Sequence, residues 1–261
     1  MKPLVSVIIP CFNRIDELIN AVNSIINQSY NNLEILIIDD YSTIDIKSSL
    51  NKINDKRIKY FKTIINGGVT ESRKYGIEKS SGDLITFLDD DDYLTTNCLE
   101  NKVNLFLEYP ELTMVISDYT ENNMVLNKAI YHCMKHFSSQ FDLNICNRPG
   151  PFFQCCMFKK EQLIDYKKLF DHNAIPSEDW DFFINLSKLN PIIGYINSPD
   201  FEWNFSINSQ SANFQNEANG LLYILNKHND LFLRRVGNSK LSDHYRMVAR
   251  VFEKDNDILN A

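Results

Sequence analysis

The sequence has little glycine, 8 residues in 261, and never arranges it as Gly-x-Gly-x-x-Gly or ahead of a Lys-Ser/Thr pair. That excludes the glycine-rich phosphate cradles of dinucleotide-binding and P-loop proteins. No Cys-x-x-Cys pair occurs among Cys11, Cys98, Cys133, Cys146, Cys155 and Cys156, and none of the five histidines has zinc-type spacing to a cysteine. A structural zinc site is therefore not expected, and the thiols are expected to be reduced and mostly buried in a cytoplasmic protein. No run of about 18 uncharged apolar residues exists, so no membrane span is expected. Met1-Lys2-Pro3 leads directly into a short apolar strand, without the charged and apolar regions of a signal peptide. Basic residues are the minority, 27 against 34 acidic, which disfavours a general nucleic-acid binder.

What is present is an ordinary globular composition, with 44% hydrophobic and 12% aromatic residues. A chain of this length buries a large core. In the first half, short apolar runs alternate with amphipathic segments. Leu4 to Ile9 reads as a buried strand closed by Pro10, and Ile15 to Ile26 as a helix with Asn13 as its cap. Glu34 to Ile38 is a second strand ending at Asp39-Asp40, followed by a polar helix and a short strand around Ile58 to Phe61. Asn66-Gly67-Gly68 forms a turn, Val69 to Lys79 a helix, and Leu84 to Leu88 a strand that runs into Asp89-Asp90-Asp91-Asp92. Such alternation predicts a mostly parallel sheet flanked by helices.

The second half is less regular. Thr113 to Ser117, Phe152 to Phe158 and Ile192 to Ile196 read as strands, Glu121-Asn122-Asn123 as a turn, and Cys133 to Pro151 as an unassigned loop. Ser177 caps a helix running to about Lys188, and the chain is helical from Gln215 into a polar tail. The shift in pattern near Tyr119 suggests a first half over 1–118, a second half over 119–211 and a helical segment over 212–261. Leu231-Phe232-Leu233-Arg234-Arg235 is expected to pack its apolar residues on the core. Peripheral contact with the inner face of the cell membrane is the alternative.

In an open parallel sheet, ligands bind beyond the carboxyl ends of the strands. Two acidic groups stand there, Asp39-Asp40 and Asp89 to Asp92. Consecutive carboxylates repel by about 4 kcal/mol per pair at ~4 Å and an effective dielectric near 20. Water, protonation or a hard cation such as Mg²⁺ or Mn²⁺ relieves them. The plainer alternative is a solvated turn. Glu178-Asp179 either decorates a helix N-terminus, where the dipole favours acid, or supplies a general base, with Trp180 and Phe182 as an aromatic wall. Arg73 either pairs with Asp40 or a phosphate, or is a surface residue of its helix.

The string Val5-Ser6-Val7-Ile8-Ile9-Pro10-Cys11-Phe12-Asn13-Arg14 resembles the opening strand of family 2 glycosyltransferases. So do Glu34 to Asp40, Asn66-Gly67-Gly68-Val69 leading to Arg73, and Gly82 to Asp92. Ser177-Glu178-Asp179-Trp180-Asp181 is similar to the family's later Glu-Asp motif, and the order and spacing match over roughly residues 4 to 211. The resemblance implies a GT-A fold, with a Rossmann-like nucleotide-binding half and an acceptor half. It also implies inverting, non-processive transfer from a nucleotide-diphosphate sugar to a glycan or lipid-linked glycan of bacterial surface polysaccharide. By the same resemblance Pro10, Phe12, Arg14, Asp39, Asp40, Gly68, Arg73, Asp89 and Asp90 surround the nucleotide. Asp91 and Asp89 hold Mn²⁺ or Mg²⁺, Asp179 is the base with Glu178 the second candidate, and Trp180 faces the acceptor. A carboxylate at Asp39-Asp40 would accept from the imide N–H of uracil, which cytosine lacks, so a UDP-sugar is the expected donor.

The sequence departs from the family at Trp203-Asn204-Phe205-Ser206, where many relatives carry a Tyr-Arg-x-His-like segment: the basic residue and the histidine are both missing. A nucleotide-sugar-binding protein without transferase activity and a nucleotidyltransferase are the alternative functions. Against the latter, Pro10 to Arg14 offers one arginine and no glycine.

Overall fold

A computed structural model of the chain describes residues 2–205 and 214–259. Strand β1 (Val5–Cys11) and strand β2 (Leu33–Asp39) are buried at every position, as strands covered on both faces must be. Helix α1 (Asp16–Ile26) joins them and buries Leu18, Ala21, Val22 and Ile25 at helical spacing. The first half continues with α2 (Ile46–Leu50), β3 (Ile58–Lys62), α3 (Gly68–Lys79), β4 (Leu84–Phe87), β5 (Tyr93–Leu94) and α4 (Cys98–Glu108). The second half contains β6 (Met114–Asn123), β7 (Lys128–His132), α5 (Phe141–Asn147), β8 (Cys156–Lys159), α6 (Tyr166–Leu169), α7 (Glu178–Ser187), β9 (Ile193–Phe205), α8 (Phe214–Lys227) and α9 (Asn229–Leu259).

One sheet of nine strands runs β3-β2-β1-β4-β8-β6-β9-β5, with β7 on the free part of β6. Strands β3, β2, β1 and β4 are parallel neighbours, as are β6 and β9, while β8 runs antiparallel between β4 and β6. The expected α/β architecture with a mostly parallel sheet is therefore present. The carboxyl ends of β1, β2 and β4 consequently open on one rim. The division expected between residues 118 and 119 falls inside β6, and the one between 211 and 212 lies outside the described residues.

Several local expectations need correction. Asn13 does not cap α1: it has φ 55° and accepts hydrogen bonds from Thr43 through its side chain, while Ile15 occupies the cap position. Glu121 to Asn123 is strand, not turn, because β6 continues along β9 to Asn123; the chain reverses over 124–127, where the Asn123 side chain accepts from the Leu126 N–H. The stretch from Cys133 to Pro151 is not a loop. It holds a 3₁₀ turn (Lys135–Ser138) and α5, anchored by buried Phe137, Phe141, Ile145 and Cys146. The strand expected from Phe152 begins only at Cys156, after a 3₁₀ turn over Phe153–Cys155. Ser177 precedes α7 without a side-chain capping bond. Phe232 is fully buried against Trp180 and Leu231 packs partly on the core as expected, while Leu233 is exposed; Arg235 pairs with Asp142 at 2.7 Å. No helix among the described residues is long and apolar enough to cross a membrane.

Gly82 stands where β4 enters the sheet beside β1. A Cβ there would meet Ser6 Oγ at 2.6 Å, Ser6 N at 2.7 Å and Leu4 O at 2.8 Å. Two of these are backbone atoms of the central strand and cannot yield. Gly82→Ala is expected to destabilise the protein by about 1–3 kcal/mol, checked by urea denaturation; an unchanged midpoint would contradict the packing described.

Candidate active site

The two acidic groups of the first half lie on the rim that β1, β2 and β4 share. Asp39 is fully buried at the end of β2, accepting from the Ser42 N–H at 2.8 Å and from the Tyr60 hydroxyl, with Lys62 Nζ at 3.7 Å. Asp40 accepts from the Gly67 and Gly68 N–H groups at 2.9 and 2.8 Å, so its carboxylate holds the turn that starts α3. Gly68 has φ 80°, a backbone state only glycine adopts without strain. Pro10 is buried in β1 opposite Ile38, while Phe12, just beyond β1, is 44% exposed on the rim.

The four consecutive carboxylates after β4 meet different fates. Asp89 accepts from Arg73 at 2.8 Å and from Gln154 at 2.6 Å. Asp92 is buried and accepts from Gln154 at 3.2 Å and from the Asn204 N–H at 3.1 Å; burial and the neighbouring Asp89 hold it well above the usual carboxylate range. The Arg14 guanidinium stands 3.2 Å from Asp90 and 2.5 Å from Asp91, a cation shared by two carboxylates. Asp90 is buried, one of its oxygens has no partner, and burial first and the adjacent Asp91 and Asp89 next push its pKa up to about 7. Asp91 is likewise raised, by burial and by Asp89. Repulsion in the cluster is thus relieved by two arginines, one amide and partial protonation.

Arg73 is neither a surface residue nor paired with Asp40. It is buried, with Nη1 donating to Glu178 at 2.7 Å, Nη2 donating to Asp89 at 2.8 Å, and its guanidinium 4.5 Å from the Phe153 ring centre. One side chain of α3 therefore ties the acidic run after β4 to the first turn of α7. Glu178 thus gives a carboxylate oxygen to the ion pair.

Asp179, next on α7, points about 100° away from Glu178 around the helix. It borders a cavity of about 430 Å³ walled by Tyr119, Phe152 and Trp203. Burial above all, then the Glu178 charge, raises its pKa to about 7, against the lowering effects of the Trp180 N–H and Arg73. A carboxyl group poised there exchanges a proton readily at neutral pH.

The expected aromatic wall is elsewhere than predicted. Trp180 and Phe182 are fully buried; Trp180 donates its indole N–H to the Ile145 carbonyl at 2.8 Å and turns its ring into the core. Trp180 still contributes to the lining of the cavity of about 430 Å³, and Phe182 does not. The wall comes from β6, the segment before β8, and β9, which no local motif announced. Asp181 pairs with Lys227 and His228 at 2.8 and 2.7 Å and ties α7 to the C-terminal helices. Gln154 and Asn204 also escaped the sequence reading. The one available signal for Gln154 was an amide inside the apolar run Phe152-Phe153-Gln154-Cys155-Cys156. Asn204 stands where the family's basic residue is missing, and donates to the Asp91 carbonyl at 2.8 Å. Ser206 lies outside the described residues.

The family model "Glycosyl transferase family 2" matches residues 6–166. An uncharacterized glycosyltransferase of Haemophilus influenzae is 43% identical over 196 residues, 71% of this chain and 72% of that protein. A second relative, from Rickettsia bellii, is matched over only 27% of its length. The UDP-Glc:alpha-D-GlcNAc-diphosphoundecaprenol beta-1,3-glucosyltransferase WfaP of Escherichia coli is 37% identical over 116 residues, 44% of this chain and 46% of that one. Among solved structures, Staphylococcus aureus TarS in complex with UDP-GlcNAc superposes with a TM-score of 0.68 at 16% identity, covering 95% of this chain and 72% of that one. That likeness is one of fold, the GT-A fold of glycosyltransferases. The chain belongs to glycosyltransferase family 2 and is related to glycosyltransferases of bacterial polysaccharide and glycolipid synthesis.

Proposed function

We propose that the protein transfers one sugar, with inversion, from a UDP-sugar to a hydroxyl of a glycan or lipid-linked glycan, and that Asp179 is the catalytic base. The observation that carries this is a carboxyl group with a pKa near 7 on the wall of an aromatic cavity, held beside the acidic run through Glu178, Arg73 and Asp89. Asp179 removes the proton of the acceptor hydroxyl as that oxygen bonds to the anomeric carbon. The bond from that carbon to the diphosphate breaks in the same displacement, and the nucleotide departs with the electron pair. The aromatic faces of Tyr119, Phe152 and Trp203 orient the acceptor sugar and exclude water. The diphosphoundecaprenol-linked substrate in the name of WfaP supports a lipid-linked acceptor.

Mg²⁺ or Mn²⁺ is proposed at Asp91 and Asp89. The donor chemistry fits such an ion, since the donors are all carboxylate oxygens and one buried Asp90 oxygen lacks a partner; Arg14, now on Asp90 and Asp91, would give way to it. Among the described residues no group of three or more ligating side chains forms, so the proposed ion would depend on diphosphate oxygens for most of its ligands. When bound, the ion offsets charge on the departing diphosphate.

The uracil imide is assigned to Asp39 or Asp40, each of which already accepts two hydrogen bonds within the fold and keeps a lone pair for a third. Calorimetry with UDP, dTDP, GDP and CDP in Mn²⁺ tests the donor. UDP is expected to bind tightly and CDP weakest; tightest binding by CDP would sink the assignment. Asp91→Asn is expected to weaken UDP binding about tenfold or more without loss of folding, and transfer is expected to cease in excess EDTA. Full activity in EDTA would remove the metal from the proposal.

A further inference from the structure

A second chamber of about 650 Å³ adjoins the Asp179 cavity, and the two share His136, Arg148, Pro149 and Met247 as a common wall. Its chemistry is opposite to that of the acidic run. Arg148 and Lys240 both line it, and no described side chain forms an ion pair or hydrogen bond with either. His136 adds a ring nitrogen, Nε2, that is buried and has no partner. The single carboxylate in the lining, Asp243, lies 3.2 Å from Arg246. His244 is already committed, its Nε2 lying 2.8 Å from the Cys146 carbonyl. In a chain of net charge -7, two unpaired cations converging on one concave site call for an anion.

The nucleotide diphosphate is not that anion, because neither the acidic run nor Arg14 or Arg73 lines this chamber. We propose that the chamber binds a phosphate ester carried by the acceptor, so that the acceptor is a glycosyl phosphate or diphosphate. Its sugar lies on the Tyr119, Phe152 and Trp203 faces beside Asp179, and its phosphate is held by Arg148, Lys240 and His136. Arg148 supplies the planar fork that phosphate oxygens accept from, Lys240 a point charge, and the free His136 Nε2, kept unprotonated by burial and by Arg148, an acceptor for a phosphate hydroxyl. Volume supports the division: about 430 Å³ suits a sugar ring with its substituents, and about 650 Å³ a diphosphate with the start of its lipid. Regiochemistry follows as well, since a phosphate pinned in one chamber fixes which sugar hydroxyl meets Asp179 in the other.

The proposal rests on Asp179 marking the acceptor cavity, but its test is independent of catalysis. Methyl phosphate is titrated into the metal-free protein while the His136 ring resonances are followed by NMR. Wild type is expected to bind it with a shift of the His136 signals, and Arg148→Ala/Lys240→Ala to bind at least about tenfold more weakly while melting at the wild-type temperature. Asp179→Asn is expected to bind methyl phosphate as wild type does, so failure of Asp179 as base would leave this result standing. Vesicles of phosphatidylglycerol form the second arm and are expected not to depend on Arg148 and Lys240. An unmoved His136 signal, or equal binding by the double variant, overturns the subsite. Vesicle binding that the double variant abolishes, with no response to methyl phosphate, assigns the cations to a membrane headgroup and also overturns it.

Discussion

Asp179→Asn is expected to lower sugar transfer by about 10²–10⁴ while UDP binds nearly as it does to wild type. Removing a base that acts only on the attacking hydroxyl leaves the nucleotide's contacts at the far side of Arg73 untouched. Glu178→Gln is the comparison: it keeps Asp179 and a hydrogen-bond acceptor toward Arg73, and is expected to lose far less. If Glu178→Gln abolishes transfer while Asp179→Asn retains it, the two roles are exchanged. The pH dependence has a definite sign. Asp179 must be ionised to accept a proton and its pKa is raised to about 7, so transfer is expected to climb through that pH and level off above it. The same shift acts oppositely on stability. Between roughly pH 4 and 7 the folded protein keeps a proton that the unfolded chain has released, so the contribution of Asp179 favours folding in acid and is lost as pH rises through about 7. A group held where its charged form is disfavoured is a stability cost retained at a catalytic position.

Arg73→Met is expected to cost about 3–5 kcal/mol, because it leaves Glu178 and Asp89 facing one another without the cation between them. At ~2–4 °C per kcal/mol for a protein near this size, the melting temperature should fall by about 6–20 °C. Transfer should fall with it, since Arg73 holds the first turn of α7 in place, and with it Asp179. The double variant Arg73→Met/Glu178→Gln is expected to recover part of the lost stability, as it removes the uncompensated charge along with its partner. Thermal melts of the two single variants and the double variant measure this. A loss below about 1 kcal/mol for Arg73→Met would show that the buried pair is not what joins the two halves of the site.

These two residues mark the limits of what one sequence discloses. The Glu178-Asp179 pair was legible as acid in a first helical turn, but the cavity that Asp179 borders, drawn from β6, the segment before β8 and β9, was not. Arg73 was visible as a residue of α3 but its partners were not, since Glu178 lies 105 positions away. Nothing in helical periodicity connects them. Gln154 shows the same limit, reaching 65 positions back to Asp89.

The sequence by itself determined the alternating order of strands and helices in the first half and the parallel sheet that order implies. It also determined the delivery of Asp39, Asp40 and Asp89 to Asp92 to one rim, because a strand apolar at every position must be covered on both faces and its polar end must emerge at an edge. Only the tertiary structure decided which way the side chains of α7 face. Trp180 turned inward onto Ile145 and Phe232, and the cavity beside Asp179 is walled by Tyr119, Phe152 and Trp203, drawn from three separate segments. It likewise lengthened β6 to Asn123 and β9 to Phe205, since each strand lasts as long as its partner offers hydrogen bonds, and a partner some 80 residues away leaves no mark on the local pattern.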